Sequence, residues 1–455
     1  MNLPFHTEET IAAIATAISA GKGGIAVIRI SGNSALAVAK NIVHIPGTKQ
    51  WESHHVLYGH VQDKETREII DEVLVFFMKA PRSFTGEDVV EIHCHGGLVA
   101  VQRVLQIVLQ SPLARRALPG EFSERAVLNG RLDLTQAEAI SDLISARSEK
   151  AAKLAVVGIS GEINKKISHL REQLLDQLSE LEARVDFEDE LPPLDPQKLL
   201  NEIHKVENQL QVLIDDSKST SFVRNGIKAV LVGLPNVGKS SLLNRLSKSE
   251  KAIVTDVPGT TRDLVEIGIV LKDVPITLVD TAGIHSSKDA VEKIGIERSH
   301  QAIKDADVIV LIFDLSRGWS QDDQNLLDQI PLEIPKIIVG NKSDIAAPLQ
   351  SVKPNIRFSA LTGDGEEQLI TKILTACGTS NIEELRISLN ERQLDLAILA
   401  KSALARTQDL AFQDLPWDFW TIDLREAIHK LGELSGEEIT ESILDRIFSR
   451  FCIGK

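Results

Sequence analysis

Fifty Lys and Arg against sixty-five Asp and Glu leave a net charge of −15 on 455 residues, of which 43% are hydrophobic and 25% charged. That balance excludes a disordered tail or a small stapled scaffold, and a surface basic enough to grip nucleic acid by phosphate neutralisation alone. Three scattered cysteines, Cys94, Cys377 and Cys452, make no disulfide framework and fit a reducing compartment, so a cytoplasmic protein of about three domains is expected.

Residues 11–20 are apolar and small, like the centre of a secretory signal, but Glu8 and Glu9 stand where such a signal needs Lys or Arg. No uncharged stretch reaches the roughly 18 residues of a membrane span, so neither export nor membrane insertion is expected. Residues 1–127 mix β-rich runs at 24–30, 55–61, 72–78 and 89–93 with helical stretches at 34–42 and 98–109, an α+β pattern. From 132 to 184 the residues favour helix throughout, with Ile167, Leu170, Leu174, Leu175, Leu178 and Leu181 among charges, which predicts long bundle helices. Pro192, Pro193 and Pro196 break the run, another helix extends to about Asp216, and the polar run 217–221 reads as a linker. Residues 128–222 are therefore the first part of a helical domain. Between 223 and 380, buried-strand runs at 227–232, 276–279, 308–313 and 336–339 alternate with helical stretches, which predicts a doubly wound parallel sheet. Amphipathic helix returns at 390–415 and 427–451, so 381–455 complete a helical domain into which the α/β domain is inserted.

Gly233-Leu-Pro-Asn-Val-Gly238-Lys239-Ser240 fits G-x-x-x-x-G-K-[ST] between a strand and a helix. In that context backbone N–H groups of the loop, from Gly233 through Asn236, Val237 and Gly238 to Ser241, wrap phosphates at a helix N-terminus. Lys239 reaches the outer phosphates and Ser240 ligates Mg²⁺. Asp280-Thr-Ala-Gly283 follows a second strand, with Asp280 placed to hold Mg²⁺ through water and the Gly283 N–H to meet a γ-phosphate. Asn341-Lys342-Ser343-Asp344 follows a third; its carboxylate accepts from guanine N1 and N2, donors adenine lacks at that edge. Ser359-Ala360-Leu361 adds a backbone contact to the base. Four motifs in order on strand ends predict a Ras-like P-loop GTPase. The Gln that follows Asp-x-x-Gly in many small GTPases is Ile284 here, so another group must orient water. Thr261, in Gly259-Thr260-Thr261-Arg262-Asp263, is placed as the switch threonine that ligates Mg²⁺.

His93-Cys94-His95 invites a metal reading, but on a strand the histidines face one side and the cysteine the other. Arg115-Arg116 and Lys165-Lys166 could touch RNA phosphates, yet isolated basic pairs are usually solvated surface.

Arg29-Ile-Ser-Gly32, Phe84-Thr-Gly-Glu-Asp88, Gly120-Glu-Phe-Ser-Glu-Arg-Ala126, the Gly259 to Asp263 run and the terminal Phe451-Cys-Ile-Gly-Lys455 closely resemble the TrmE/MnmE family of tRNA-modifying GTPases, over essentially the full length. The resemblance implies an N-terminal folate-binding and dimerisation domain, a helical domain and an inserted GTPase. It implies a homodimer with a K⁺ site at Asn236, Thr255, Val257 and Thr260, the ion taking the charge-neutralising part of an arginine finger. Glu292 corresponds to the family's water-orienting glutamate. A reduced folate, 5-formyl- or methylene-tetrahydrofolate, would meet Arg29, Glu91, Arg131 and Lys455. His285 stands where the family often has Arg. The implied activity modifies C5 of the wobble uridine of certain tRNAs together with an MnmG/GidA-type flavoenzyme; FAD is expected on that partner, as no G-x-G-x-x-G fingerprint occurs here. Two other readings stay open: a GTPase switch for ribosome or RNA assembly, and a folate-dependent transferase with a degenerate GTPase.

Overall fold

The computed structural model describes residues 9–18, 23–186, 195–248, 265–280, 299–345, 352–379, 387–413, 416–438 and 440–454. The chain divides into two compact units. One comprises Met1–Ser141, Asn164–Arg171 and Ile428–Lys455, the other Asp142–Ile163 and Glu172–Ala427.

The first unit is built on a seven-stranded sheet of β1 (Thr10–Ile14), β2 (Ile25–Ser31), β3 (Val43–His44), β4 (Val56–Gln62), β5 (Ile69–Met78), β6 (Val89–His95) and β7 (Ala114–Arg116), in the order β3-β4-β5-β6-β2-β1-β7. All pairs are antiparallel except β1 with β7. Alternation along β2 and β6 turns Ile28, Ile30, Ile92 and Cys94 into a core shared with Val38 and Ala39 of α1 (Ala35–Ile42) and Val104 and Val108 of α2 (Leu98–Leu109). The expected α+β pattern is present, with β3, β7 and β1 in addition. Ile11, Ala12 and Ala13 of β1 are all buried between β2 and β7, so this strand shows no alternation in its sequence. Gly120 precedes α3 (Glu121–Leu128) at φ +71, and a Cβ there would stand 2.6 Å from the Phe448 carbonyl oxygen.

The helical run expected from 132 to 184 is three helices: α4 (Leu134–Ser145), α5 (Glu149–Ile159) and α6 (Glu162–Asp186). Ser148 separates the first two by accepting a hydrogen bond from Ala151 N, and Gly161, at φ +77, separates the next two. Asp195 caps α7 (Pro196–Asn225), accepting from Gln197 N and Lys198 N, with proline in the first turn.

The expected linker at 217–221 is corrected by α7, which runs through it to Asn225. Ser217 Oγ donates to Leu213 O at 2.6 Å and accepts from Leu389 N at 2.8 Å, while Thr220 Oγ1 lies 2.7 Å from Ser388 Oγ. Arg224 Nη2 donates to Ser388 O at 2.9 Å. The two buried hydroxyls, Ser217 and Thr220, each find a carbonyl one turn back and a second partner in segment 388–389, while Lys218 and Ser219 between them are exposed.

The α/β region contains β8 (Ile227–Val232), α8 (Lys239–Ser247), β9 (Val265–Leu271), β10 (Val274–Asp280), β11 (Val308–Asp314), α9 (Gln321–Asp328), β12 (Lys336–Asn341), β13 (Ile356–Arg357) and α10 (Glu366–Ala376). The sheet order is β13-β12-β11-β8-β10-β9. It is parallel as expected except for the edge strand β9, which turns into β10 through Lys272 and Asp273, both at positive φ. Val230, Leu278, Val310 and Val339 fill its core, and Ala151 and Leu154 of α5 pack into the same cluster. The chain continues through α11 (Glu391–Phe412), α12 (Trp417–Ser435) and α13 (Glu441–Phe448). Among the described residues, no helix is long and apolar enough to cross a membrane.

Cys94 faces the core and donates to Ala26 O, with His93 and His95 on the opposite face; among the described residues no His, Cys, Asp and Glu cluster is arranged for a metal. Burial pushes the Cys94 thiol up to about 11 and the Cys377 thiol up to about 12, whereas Cys452 is exposed. A thiol reagent at pH 8 should therefore react rapidly with one thiol of the native protein, and with all three cysteines only after unfolding. Rapid reaction of two or three in the native state would contradict this burial.

Candidate functional site

The carboxyl ends of β8, β10, β11 and β12 carry Gly233, Asp280, Asp314 and Asn341, which gathers the polar groups at one edge of the sheet. After β8 the chain cannot carry a side chain at Gly233, because a Cβ would stand 2.3 Å from Ile312 O. Asn236 and Gly238 take positive φ, 62° and 94°, which curls the loop and starts α8 at Lys239. The loop thus presents backbone N–H groups at a helix N-terminus that has no acidic residue in its first turn, a ready-made anion site. Lys239 is buried, its Nζ donating to Gly233 O at 2.9 Å and to Leu234 O at 3.3 Å. Burial lowers its pKa below the ordinary lysine value, with Asp280 opposing. Asn236, Ser240 and Ser241 are exposed beside it.

Ser240 Oγ donates to Asp280 Oδ2 at 3.0 Å, while Asp280 Oδ1 is buried without a hydrogen-bond partner among the described residues. A hydroxyl beside a carboxylate with one unsatisfied oxygen is an all-oxygen donor set suited to Mg²⁺.

The Asn341-Lys342-Ser343-Asp344 turn is tied on several sides. Buried Asn341 donates through Nδ2 to Val237 O at 2.8 Å and accepts at Oδ1 from Ala360 N at 3.3 Å. Asp344 Oδ1 accepts from Ser359 Oγ at 2.6 Å. Lys342 Nζ donates to Asp314 Oδ2 at 2.6 Å. One asparagine therefore joins the phosphate loop, the β12 turn and the Ser359-Ala360 loop. Arg245 of α8 adds a further tie through Glu366 at 2.9 Å.

In the other unit, the β2–β6 register sets Arg29 opposite Glu91, and Arg29 Nε donates to Glu91 Oε1 at 2.9 Å. The guanidinium lies over the rings of Phe84 and Phe122, 5.3 and 5.7 Å from their centroids. Its Nη1 donates to Gly454 O at 3.4 Å, so the tail reaches this pair; Ile453 bridges Pro119, and Gly120 N donates to Cys452 O. His93 Nε2 lies 3.3 Å from Glu91 Oε2. Behind the pair, buried Arg125 joins Glu87 and Glu121. Burial alone would raise the Glu121 pKa, but hydrogen bonds from Arg115, Leu118 N and Arg125 lower it. Arg115 donates to Glu121 through two nitrogens and to Glu9 through a third, which removes it from the free basic pair considered above.

The structure therefore gathers Gly233, Val237, Gly238, Lys239, Ser240, Asp280, Asn341, Lys342, Asp344, Ser359 and Ala360 around one edge, and Arg29 with Glu91 in the other unit. Arg131 is exposed on the turn after α3. Thr255, Val257, Thr260, Thr261, Gly283, His285, Glu292 and Lys455 lie outside the described residues. Asp314 is absent from the sequence reading, and Phe84, Phe122 and His93 enter it only within family motifs or as a metal candidate, not as neighbours of Arg29 and Glu91. A carboxylate at the end of a buried strand was the available signal for Asp314.

The profile of the GTP-binding protein TrmE N-terminus matches residues 10–131, and that of the MnmE helical domain matches residues 134–452. The tRNA modification GTPase MnmE of Prochlorococcus marinus (strain MIT 9303) is 61% identical over 464 residues, covering 100% of both chains. That of Synechococcus sp. (strain WH7803) is 61% identical over 452 residues, covering 98% of each. Among solved structures, Era of Aquifex aeolicus bound to GDP·AlF4⁻ aligns with 39% of this chain and 66% of its own at 28% identity and a TM-score of 0.28.

Proposed function

The chain belongs to the MnmE family of tRNA modification GTPases, and from that premise we propose that it is a homodimeric, K⁺-dependent GTP hydrolase of the cytoplasm which modifies C5 of the wobble uridine of certain tRNAs. It does so with an MnmG/GidA-type flavoenzyme that carries the FAD, and a reduced folate, 5-formyl- or methylene-tetrahydrofolate, supplies the one-carbon unit of the carboxymethylaminomethyl group. In this reading residues 1–127 bind folate and dimerise, 128–222 and 381–455 form the helical domain, and 223–380 form the GTPase.

Gly233, Asn236, Val237, Gly238, Lys239, Ser240 and Ser241 hold the phosphates, joined by Thr255, Thr260, Thr261 and Gly283. Asn341, Lys342, Asp344, Ser359 and Ala360 hold guanine. Ser240 and Thr261 ligate Mg²⁺, with Asp280 behind Ser240, and Asn236, Thr255, Val257 and Thr260 form the K⁺ site; both ions supply positive charge against the phosphates. Glu292 orients the attacking water. Arg29, Glu91, Arg131 and Lys455 bind the folate, Glu91 accepting from pterin N–H groups. GTP hydrolysis drives closing and opening of paired GTPase domains rather than the uracil chemistry.

The observation that favours this reading over a plain GTP switch is the seat of Gly454 on the Arg29–Glu91 pair, an arrangement such a switch has no use for. The test is GTP turnover in KCl and in NaCl at matched ionic strength, with Asn236→Ala alongside. K⁺ should raise turnover about tenfold or more, within the range for losing or gaining one charge-stabilising group, and the variant should lose the difference. Equal slow rates in both salts would point to a switch that awaits an external activator.

A further inference from the structure

One tie on the Asn341-to-Asp344 turn belongs to no nucleotide motif. Asp314, the last residue of β11, stands opposite Asn341 in the parallel β11–β12 ladder, and Leu315 N donates to Asn341 O at 3.0 Å. The backbone thus delivers Asp314 to the root of the turn. Its side chain is then fixed from both oxygens. Oδ1 accepts from Ser316 N at 2.9 Å and Ser316 Oγ at 2.6 Å, a local turn that sets the rotamer, and Oδ2 accepts the Lys342 ammonium at 2.6 Å. Only 14% of the Asp314 side chain is exposed, against 34% for Lys342, so this pair is less screened than a surface ion pair.

Lys342 also sits at φ +61, a left-handed conformation that costs a side-chain-bearing residue about 1–2 kcal/mol. A turn strained in this way persists where its surroundings over-determine it. Here three ties do so: Asn341 to Val237 and Ala360, Asp344 to Ser359, and Lys342 to Asp314.

We propose that Asp314 is a positioning residue for guanine recognition, holding the Lys342 ammonium so that its stem stays extended beside the base site and its charge stays off Asp344. The proposal rests on the assignment of Asp344 as the base-reading carboxylate. An ammonium two residues away that folded onto Asp344 would occupy the acceptor guanine needs; Asp314 gives it another partner. Burial opposes ionisation of Asp314, but Lys342 and the two Ser316 bonds outweigh it and hold the carboxyl below the ordinary aspartate range.

A double-mutant cycle on the full-length protein tests the inference, read by binding of a fluorescent GDP analogue. Asp314→Asn keeps the shape and an acceptor for Ser316 while removing the charge. It should weaken GDP binding about tenfold in the native background and less than about twofold when Lys342 is already Met, the signature of a residue acting through its partner. The same loss in both backgrounds would mean a general structural role, and no loss in either would mean no role; both overturn the proposal. Asp344→Asn is run alongside. If it leaves selectivity between GDP and XDP unchanged, the base-reading assignment fails and takes the proposal with it. If selectivity changes while the cycle shows no coupling, the assignment stands and Asp314 alone is excluded.

Discussion

Asp344→Asn should lower GTP affinity by about two orders of magnitude or more and bring XTP into the measurable range. Guanine offers two donors, N1–H and the N2 amine, to a carboxylate that accepts both, and charge-assisted hydrogen bonds are worth about 1.5–3 kcal/mol each. An asparagine offers one acceptor and turns the other position into a donor, which faces the guanine amine with no partner. Xanthine carries a carbonyl at that position and restores the match. The fold should tolerate the change, because Asp344 Oδ1 accepts from Ser359 Oγ and an amide oxygen can take over that bond. Competition of GTP and XTP against a fluorescent GDP analogue measures the effect. Unaltered preference for GTP would remove Asp344 from base recognition.

The GTPase edge was legible because its motifs are local. A loop that must wrap phosphates shows its glycines, Gly233 and Gly238, within eight consecutive residues, although the atoms that leave no room for a Cβ there, Ile312 O at 2.3 Å and Asn341 Nδ2 at 2.2 Å, come from β11 and the end of β12. The Arg29–Glu91 pair was not legible in that way. Arg29 and Glu91 are 62 residues apart and meet only through the register of β2 on β6, so composition and spacing say nothing of them; the family resemblance named them. Asp314 failed to stand out because its partner, Lys342, is supplied by the neighbouring strand's turn. The polar run at 217–221 misled for a different reason. A solvated linker and a helix face whose hydroxyls bond their own preceding carbonyls have the same composition, and segment 388–389, which buries Ser217 and Thr220, is remote in sequence. β1 lacked alternation because both its faces are covered, and β3, β7 and β13 are too short to carry a period.

Gly454→Ala separates the two sites most sharply. Gly454 holds φ +96, and a Cβ there would stand 2.2 Å from Ile14 O, 2.9 Å from Ile14 C and 3.0 Å from Ala15 Cα, all backbone atoms at the end of β1. No rotamer change relieves that overlap. Either β1 moves or the tail does, and the tail is the weaker party. β1 is buried and paired on both sides, whereas the tail is held by the Ile453–Pro119 bridge, which includes the bond from Gly120 N to Cys452 O, and by Arg29 on Gly454 O, hydrogen bonds worth about 1 kcal/mol each. The tail should therefore lift away from Arg29 with little loss of thermal stability. Binding of 5-formyl-tetrahydrofolate and formation of the modified uridine should fall about tenfold or more, the scale expected when a positioning group is displaced. GTP turnover should stay near the native rate, since Gly233, Lys239, Asp280 and Asp344 all belong to the other unit. Faster labelling of Cys452 would report the displaced tail independently of either activity. If Cys452 becomes more reactive and folate affinity does not change, the tail has moved and the folate site does not include it.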